Sequence, residues 1–263
     1  MNFQRKTALV AGVFFVITFV TSIRALLLYE PLLDHADYIL GPGADTRISV
    51  AAFLEVLLAI ANVGTAVTLF PILKRQSEGI SLGYVCTRVL ESTIIVAGIV
   101  SLLAVVTLRQ DFAATGAEAA SLTLAGKTLV AFHDWTFLFG PAFCAGFGNG
   151  LLLGYLMYRS GLVPRRMALL GLVGGPLCFA SGTAVLFGLY EQTDAWSFLV
   201  TLPEILWEAS LGIWLIAKGF NPSPITAPVR FESRRGPRQV RPNAAVANTR
   251  GCGSEASHRI FDG

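Results

Sequence analysis

Residues 7–28 read TALVAGVFFVITFVTSIRALLL, twenty-two positions in which Arg24 is the one charge. At a rise of about 1.5 Å per residue such a helix is about 33 Å long, and about 20 apolar residues suffice to cross a hydrocarbon layer about 30 Å thick. Inside that layer the backbone finds no water, so its N–H and C=O groups must be satisfied along the helix itself. The run exceeds the 7 to 15 residues or so usual for the apolar core of a cleaved leader. With Arg5 and Lys6 before it, it is expected to stay in place as a signal anchor.

The same reading recurs along the chain. Residues 48–73, 80–108, 129–158, 167–189 and 198–217 are further apolar runs of spanning length, separated by polar connections. Residues 29–47 carry Glu30, Asp34, Asp37 and Asp45 around the turn Gly41-Pro42-Gly43, and the short turn before 198 carries Glu191 and Asp194. Other connections are basic, with Lys74 and Arg75 in one and Arg159, Arg165 and Arg166 in another. Residues 109–127, scattered with charges and small side chains, are expected to be a loop holding at most one short interfacial helix. Residues 129–158 are too long for one perpendicular crossing and are expected to tilt, to kink at Pro141 or to begin at the interface.

The expected fold class is therefore all-α: a polytopic transmembrane helix bundle with six transmembrane helices over about 7–28, 48–73, 80–108, 129–158, 167–189 and 198–217. Residues 1–221 form this domain. Residues 222–263 are rich in Arg, Pro, Ser, Gly and Ala, cannot bury a core and are expected to be a disordered basic tail. Composition agrees: 54% of the residues are hydrophobic and only 14% charged, too little polar surface for a soluble domain. Cys86, Cys144 and Cys178 lie in apolar runs and Cys252 in the tail, a spacing that suggests neither a disulfide framework nor a zinc site.

Orientation follows from the cations. Counting alternate sides of six spans, fifteen Lys and Arg fall on the side of the termini and three, Arg47, Arg109 and Lys127, on the other. Without the tail the division is seven against three. Both termini are thus expected in the cytoplasm, N-in and C-in, with the chain in the cell (plasma) membrane.

Neither a phosphate-binding G-x-x-x-x-G-K-[ST] nor an H-E-x-x-H occurs. His35, His133 and His258 sit in an outer loop, at an outer span edge and in the tail, so they cannot converge on a metal. The glycines Gly146, Gly150 and Gly154, and separately Gly171 and Gly175, recur every four residues, which suits close helix packing rather than a nucleotide loop.

What remains is a set of ionisable groups inside or at the edges of spans, where a charge at the helix centre costs about 2.5 to 3.5 kcal/mol and needs a partner or water. The acids are Glu55, Glu91, Asp134, Glu204 and Glu208; the cations are Arg24 and Arg88, and His133 can be either. Arg88 and Glu91 are three apart and share a helix face that Ser92 extends. Glu204, Glu208 and Gly212 make a stripe at spacing four, as do Glu55, Ala59 and Asn62 on the second span. Glu208 is expected near the bilayer midplane, at the depth of Arg88 and Glu91; Asp134 and Glu204 are expected near the outer interface, where they can simply be hydrated.

The opening Arg5-Lys6-Thr7-Ala8-Leu9-Val10-Ala11-Gly12, the pair Arg88 and Glu91, the turn Arg159-Ser160 followed by Pro164-Arg165, and the ending Glu208 with Trp214-Leu215-Ile216-Ala217-Lys218-Gly219 resemble an uncharacterised bacterial family of integral membrane proteins, domain of unknown function 4386. The resemblance covers the chain to about residue 220. It implies a six-helix membrane fold and supplies no activity, substrate or site residue.

The leading expectation is a non-enzymatic multi-pass membrane protein of unknown biochemical function, with Arg88, Glu91, Glu208 and Glu55 in an intramembrane polar network. A small proton- or cation-coupled transporter, with Glu208 and Glu91 titrating, is the first alternative. A lipid-acting membrane enzyme using Asp134 and Glu204 as acid and base, or an assembly and regulatory partner, is the second. No cofactor and no nucleic acid is expected; the partners are the lipid bilayer and a second copy of the chain through the Gly-rich helices. A topological test follows. With the four native cysteines replaced by serine, R165C stays unlabelled by a membrane-impermeant maleimide in intact cells while Q192C is labelled. Labelling of R165C from outside would reverse the orientation.

Overall fold

The computed structural model describes residues 2–33, 38–41, 43–115, 119–223 and 225. Among them there is no strand, and six helices are long and apolar enough to cross a membrane. In chain order they are α1 (Phe3–Leu33), α2 (Asp45–Leu73), α3 (Glu78–Thr115), α4 (Ala119–Ser160), α5 (Arg165–Leu186) and α6 (Ala195–Ala217). Each packs on its neighbours in sequence, and α6 returns to α1, so the bundle is a closed ring. Large apolar side chains such as Val20, Leu27, Phe53, Val100 and Ile213 stay exposed on its outside, as a lipid-facing surface demands.

Two helices run past their apolar segments. The expected loop over 109–127 is largely helical: α3 continues to Thr115 and α4 begins at Ala119, leaving residues 116–118 outside the described residues. No glycine or proline interrupts 109–115, and Ala-rich sequence favours helix at no packing cost. Arg109 also anchors this extension. Its Nε donates to Asp45 Oδ1 at 2.7 Å, Nη1 donates to the Gly41 carbonyl at 3.2 Å, and Nη2 pairs with Asp45 Oδ2. Tyr38 joins by donating to Asp45 Oδ1 at 3.1 Å; burial, then the Asp45 carboxylate, pushes its phenol above the usual value. The end of the bundle remote from the termini is closed by this cluster. Asp34, His35 and Asp37, expected in the same loop, lie outside the described residues.

The long α4 answers its excess length by changing its helix type. Between Leu138 and Cys144, and again between Gly146 and Leu153, the turns widen to π-helix. Pro141 lies in the first widened segment. Proline removes an N–H and crowds the carbonyl four residues back, and a wider turn accommodates both. At Pro141, where a kink is one of the expected accommodations, the chain forms a π-helical stretch and the helix continues through it.

The glycines expected to mediate packing do so inside one chain. A Cβ on Gly175 would press on the backbone of Gly146, Gly150 and Leu151, and one on Gly154 would lie 3.1 Å from Leu172 N, so α4 and α5 touch backbone to backbone. Gly171 lies under the Trp207 indole. Across the ring, a Cβ on Gly12 of α1 would stand 2.8 Å from the Gly212 carbonyl of α6. Lipid already solvates apolar side chains, so such close approach is a main source of attraction between helices.

At the termini end the ring is latched by a side chain. The Arg5 guanidinium donates to the carbonyls of Leu215 and Ile216, at 3.0 and 2.6 Å, which have no intrahelical partner at the end of α6. The turn into α5 opens with Gly161 in the left-handed region, φ 67°, a conformation open to glycine without steric cost. The tail expected from residue 222 starts against this turn: Asn221 N donates to the Leu162 carbonyl at 2.8 Å and Ser223 Oγ to the Ser160 carbonyl at 2.6 Å, while Ile225 packs on the core. The expected disorder of 226–263 falls outside the described residues.

The α4–α5 contact predicts the effect of one methyl group. Gly175→Ala overpacks a backbone contact and should lower stability by about 1–3 kcal/mol, read as a drop in melting temperature of the detergent-solubilised protein. An unchanged melting temperature would contradict the packing described.

Candidate functional site

The spacing of Arg88 and Glu91 places both on the inner face of α3, where they are 2% and 4% exposed. Arg88 Nη1 donates to Glu91 Oε2 at 2.7 Å, and Nη2 donates to the Asn62 side-chain oxygen on α2. Asn62 Nδ2 completes a triangle by donating to Glu91 Oε1 at 3.1 Å. Ser92 Oγ, on the same face, lies 2.9 Å from the Arg88 carbonyl and 3.1 Å from the Ala59 carbonyl of α2. A buried ion pair is tolerated only when its remaining donors and acceptors are occupied. Here Asn62 holds both ions with the two ends of one amide; of the three guanidinium nitrogens, Arg88 Nε has no partner.

Facing this triangle is a second group, from α4 and α6. Asn149, in the widened part of α4, donates through Nδ2 to Glu208 Oε1, and its own carbonyl accepts from the Trp207 indole at 3.0 Å. Glu204, one turn from Glu208, is 4% exposed, and neither of its carboxylate oxygens has a hydrogen-bonding partner. It fits because two glycines make room. A Cβ on Gly150 would stand 2.5 Å from Glu204 Oε2, and one on Gly174 2.5 Å from Glu204 N. Arg88 is near enough to interact electrostatically with Glu91, Glu204 and Glu208, so one guanidinium serves three carboxylates.

Glu55, His133 and Asp134 form a separate group toward the end of the bundle remote from the termini. Tyr29 of α1 donates to Glu55 Oε2 at 2.9 Å and meets the His133 ring edge to face, with centroids 5.9 Å apart. His133 is buried; its Nδ1 stands 3.7 Å from Asp134 Oδ1, too far for a hydrogen bond and an ion pair only when the ring is protonated. The Asp134 side chain is 65% exposed.

Of the eight ionisable residues singled out from the sequence, four therefore meet inside the bundle: Arg88, Glu91, Glu204 and Glu208. Glu204 is not at a hydrated outer boundary as expected. Gly150 and Gly174 admit it into the interior, sixteen residues along α4 from Asp134, on the order of 20 Å. Asp134 and Glu204 are not brought together as an acid and base pair. Arg24, expected within a span, is exposed on α1 and joins neither group. Asn149 is not among the residues singled out from the sequence, although an amide flanked by Gly148 and Gly150 in an apolar run is a visible anomaly.

Two surface grooves, neither lined by these acids, mark the lipid-facing wall. One, about 560 Å³, lies between α4 and α5 along Phe147, Leu151, Pro176 and Phe179; a smaller one lies between α2 and α3. Among the described residues, no group of three or more His, Cys, Asp or Glu is placed to hold a metal ion. With this geometry, comparison adds a family but no chemistry. A family model described as "Domain of unknown function (DUF4386)" matches residues 10–219. No curated protein and no solved structure matches the chain.

The triangle makes a paired prediction. Arg88→Ala leaves the Glu91 charge buried without its cation and should cost about 3–5 kcal/mol, whereas Arg88→Met combined with Glu91→Leu should recover most of that loss. Equal destabilisation by the single and double variants, measured by thermal unfolding in detergent, would show that pairing is not what matters.

Proposed function

The chain belongs to that family of unknown function, and since membership brings no activity with it, we propose from the bundle interior that it is a small proton-coupled membrane transporter. The carrying observation is the excess of three interior carboxylates, Glu91 and Glu204 buried and Glu208 half-buried, over the guanidinium of Arg88. With all three ionised, the cluster would hold two uncompensated negative charges in low dielectric, which is costly enough that protons must bind. Proton number and helix arrangement are then coupled. A proton gained or lost at Glu208 changes its bond to Asn149, hence the contact of α6 with the widened turns of α4. Wide turns are frequent at functional sites and offer an element with two arrangements.

A second reading holds for part of the set. The Arg88, Glu91 and Asn62 triangle is closed on itself, which favours a structural clamp between α2 and α3, with titration left to Glu204 and Glu208. The plasma membrane is the proposed location, with both termini in the cytoplasm, supported by the excess of Lys and Arg at the termini end.

Infrared difference spectra between acidic and alkaline pH test the titration without knowledge of a substrate. A carbonyl band of protonated carboxyl groups should appear on acidification and lose intensity in Glu204→Gln and in Glu208→Gln. Spectra identical to wild type in both folded variants would sink the proposal.

A further inference from the structure

Glu204 and Asn149 share a feature that proton binding alone does not explain. Each is at least nine-tenths buried, and each presents oxygen without a partner: both carboxylate oxygens of Glu204 and the side-chain oxygen of Asn149. Nearby donors are taken. Asn149 Nδ2 serves Glu208, the Trp207 indole N–H serves the Asn149 carbonyl, and the Cys178 thiol serves the Ala142 carbonyl at 3.3 Å. Arg88 Nε is free but within hydrogen-bonding distance of neither carboxylate. Unpaired buried acceptors are costly, and a group of them calls for a donor or a cation.

We propose that Glu204, Glu208 and the Asn149 side-chain oxygen form a binding site for a monovalent alkali cation between α4 and α6. This deepens the transporter reading and rests on it, naming the second ion that the acid cluster takes. A proton on Glu204 converts one oxygen to a donor and leaves the other oxygens as they are; a cation engages several at once. Charge supports the same assignment. With Glu91 matched by Arg88, Glu204 and Glu208 carry two negative charges, which one cation and one proton cancel. Two carboxylates and one amide oxygen fall short of the roughly six to eight oxygens that calcium takes. Interrupted or irregular helices with acids near the membrane interior are where coupling ions bind in transporters generally. Gly150 lets the Glu204 carboxylate lie directly against the α4 backbone beside Asn149, since a Cβ there would stand 2.5 Å from Glu204 Oε2.

The groups facing Glu204 set how cation and proton compete. Glu208 lies on its own helix, Arg88 and Glu91 come from α3, and the Cys178 thiol comes from α5. Protonation of Glu204 or Glu208 removes the charge that attracts the cation, so binding should weaken as pH falls.

Thermal unfolding of the full-length protein in detergent, at constant ionic strength, supplies the test. Sodium or potassium chloride replacing choline chloride should raise the melting temperature saturably, by about 5 °C at high occupancy, with a smaller rise at acidic pH. Glu204→Gln and Asn149→Ala should abolish the rise, and the exposed Glu30→Gln should retain it. Saturable binding of radioactive sodium or rubidium to wild type checks the site without any variant. No alkali-specific rise and no saturable binding would overturn the cation site, as would a rise that survives in Glu204→Gln or a larger one with magnesium or calcium. If carboxyl titration persists in the infrared spectra while alkali ions have no effect, the cation proposal alone fails.

Discussion

A guanidinium cannot stand bare in hydrocarbon, and the ring of helices is arranged so that Arg88 does not. Its partners come from two helices: Glu91 on its own α3 and Asn62 on α2, whose amide holds both charges. This demand rotates α2 and α3 so that their polar stripes face inward and leave Phe53, Val89 and Leu90 for the lipid. Insertion costs of a few kcal/mol per charge explain why such pairing governs helix orientation more strongly than the nearly uniform apolar surface does. The ring then follows, since each helix packs on the next and α6 closes on α1 where Gly12 and Gly212 permit it.

The other half of the interior is built on small residues. Gly146, Gly150 and Gly175 bring α4 and α5 into backbone contact, and Gly150 with Gly174 admits the Glu204 side chain and backbone from α6. The widened turns of α4 place Asn149 against Glu208 and Trp207. Close packing and polar chemistry are therefore one arrangement. Where side chains are smallest, an acid enters with no partner of its own. In the Arg88 triangle only Nε lacks a partner, while in the facing group both Glu204 oxygens do, adjacent to irregular helix. That asymmetry separates a paired half of the interior from an unpaired one.

Some of this arrangement is legible locally. The Arg88 to Glu91 and Glu204 to Glu208 spacings put each pair on one helix face, because 3.6 residues complete a turn. The glycine series announces close packing because a Cβ is the obstacle to helix approach. Hidden from such reasoning are contacts that depend on rotation about a helix axis and on depth. Asn62 is visible in a stripe with Glu55, yet Asn62 turns to Arg88 on the next helix while Glu55 meets Tyr29 of α1. Glu204 reads as interfacial by distance from its loop and is buried in fact. The extended helical segments on either side of residues 116–118 escape notice because membrane length counts apolar residues, whereas a helix continues for as long as nothing breaks it.

By itself the sequence determines that this chain crosses a membrane six times as helices, because runs of about 20 apolar residues in lipid have no other way to satisfy their backbone. It also determines which few charged residues must find partners inside. The tertiary structure alone decides who those partners are: Asn62 for Arg88 and Glu91, Asn149 for Glu208, and none for Glu204. The reason is geometric. Periodicity assigns a residue to a face of its own helix, but only the packing of six helices, set by glycine contacts and the wide turns of α4, decides which faces meet.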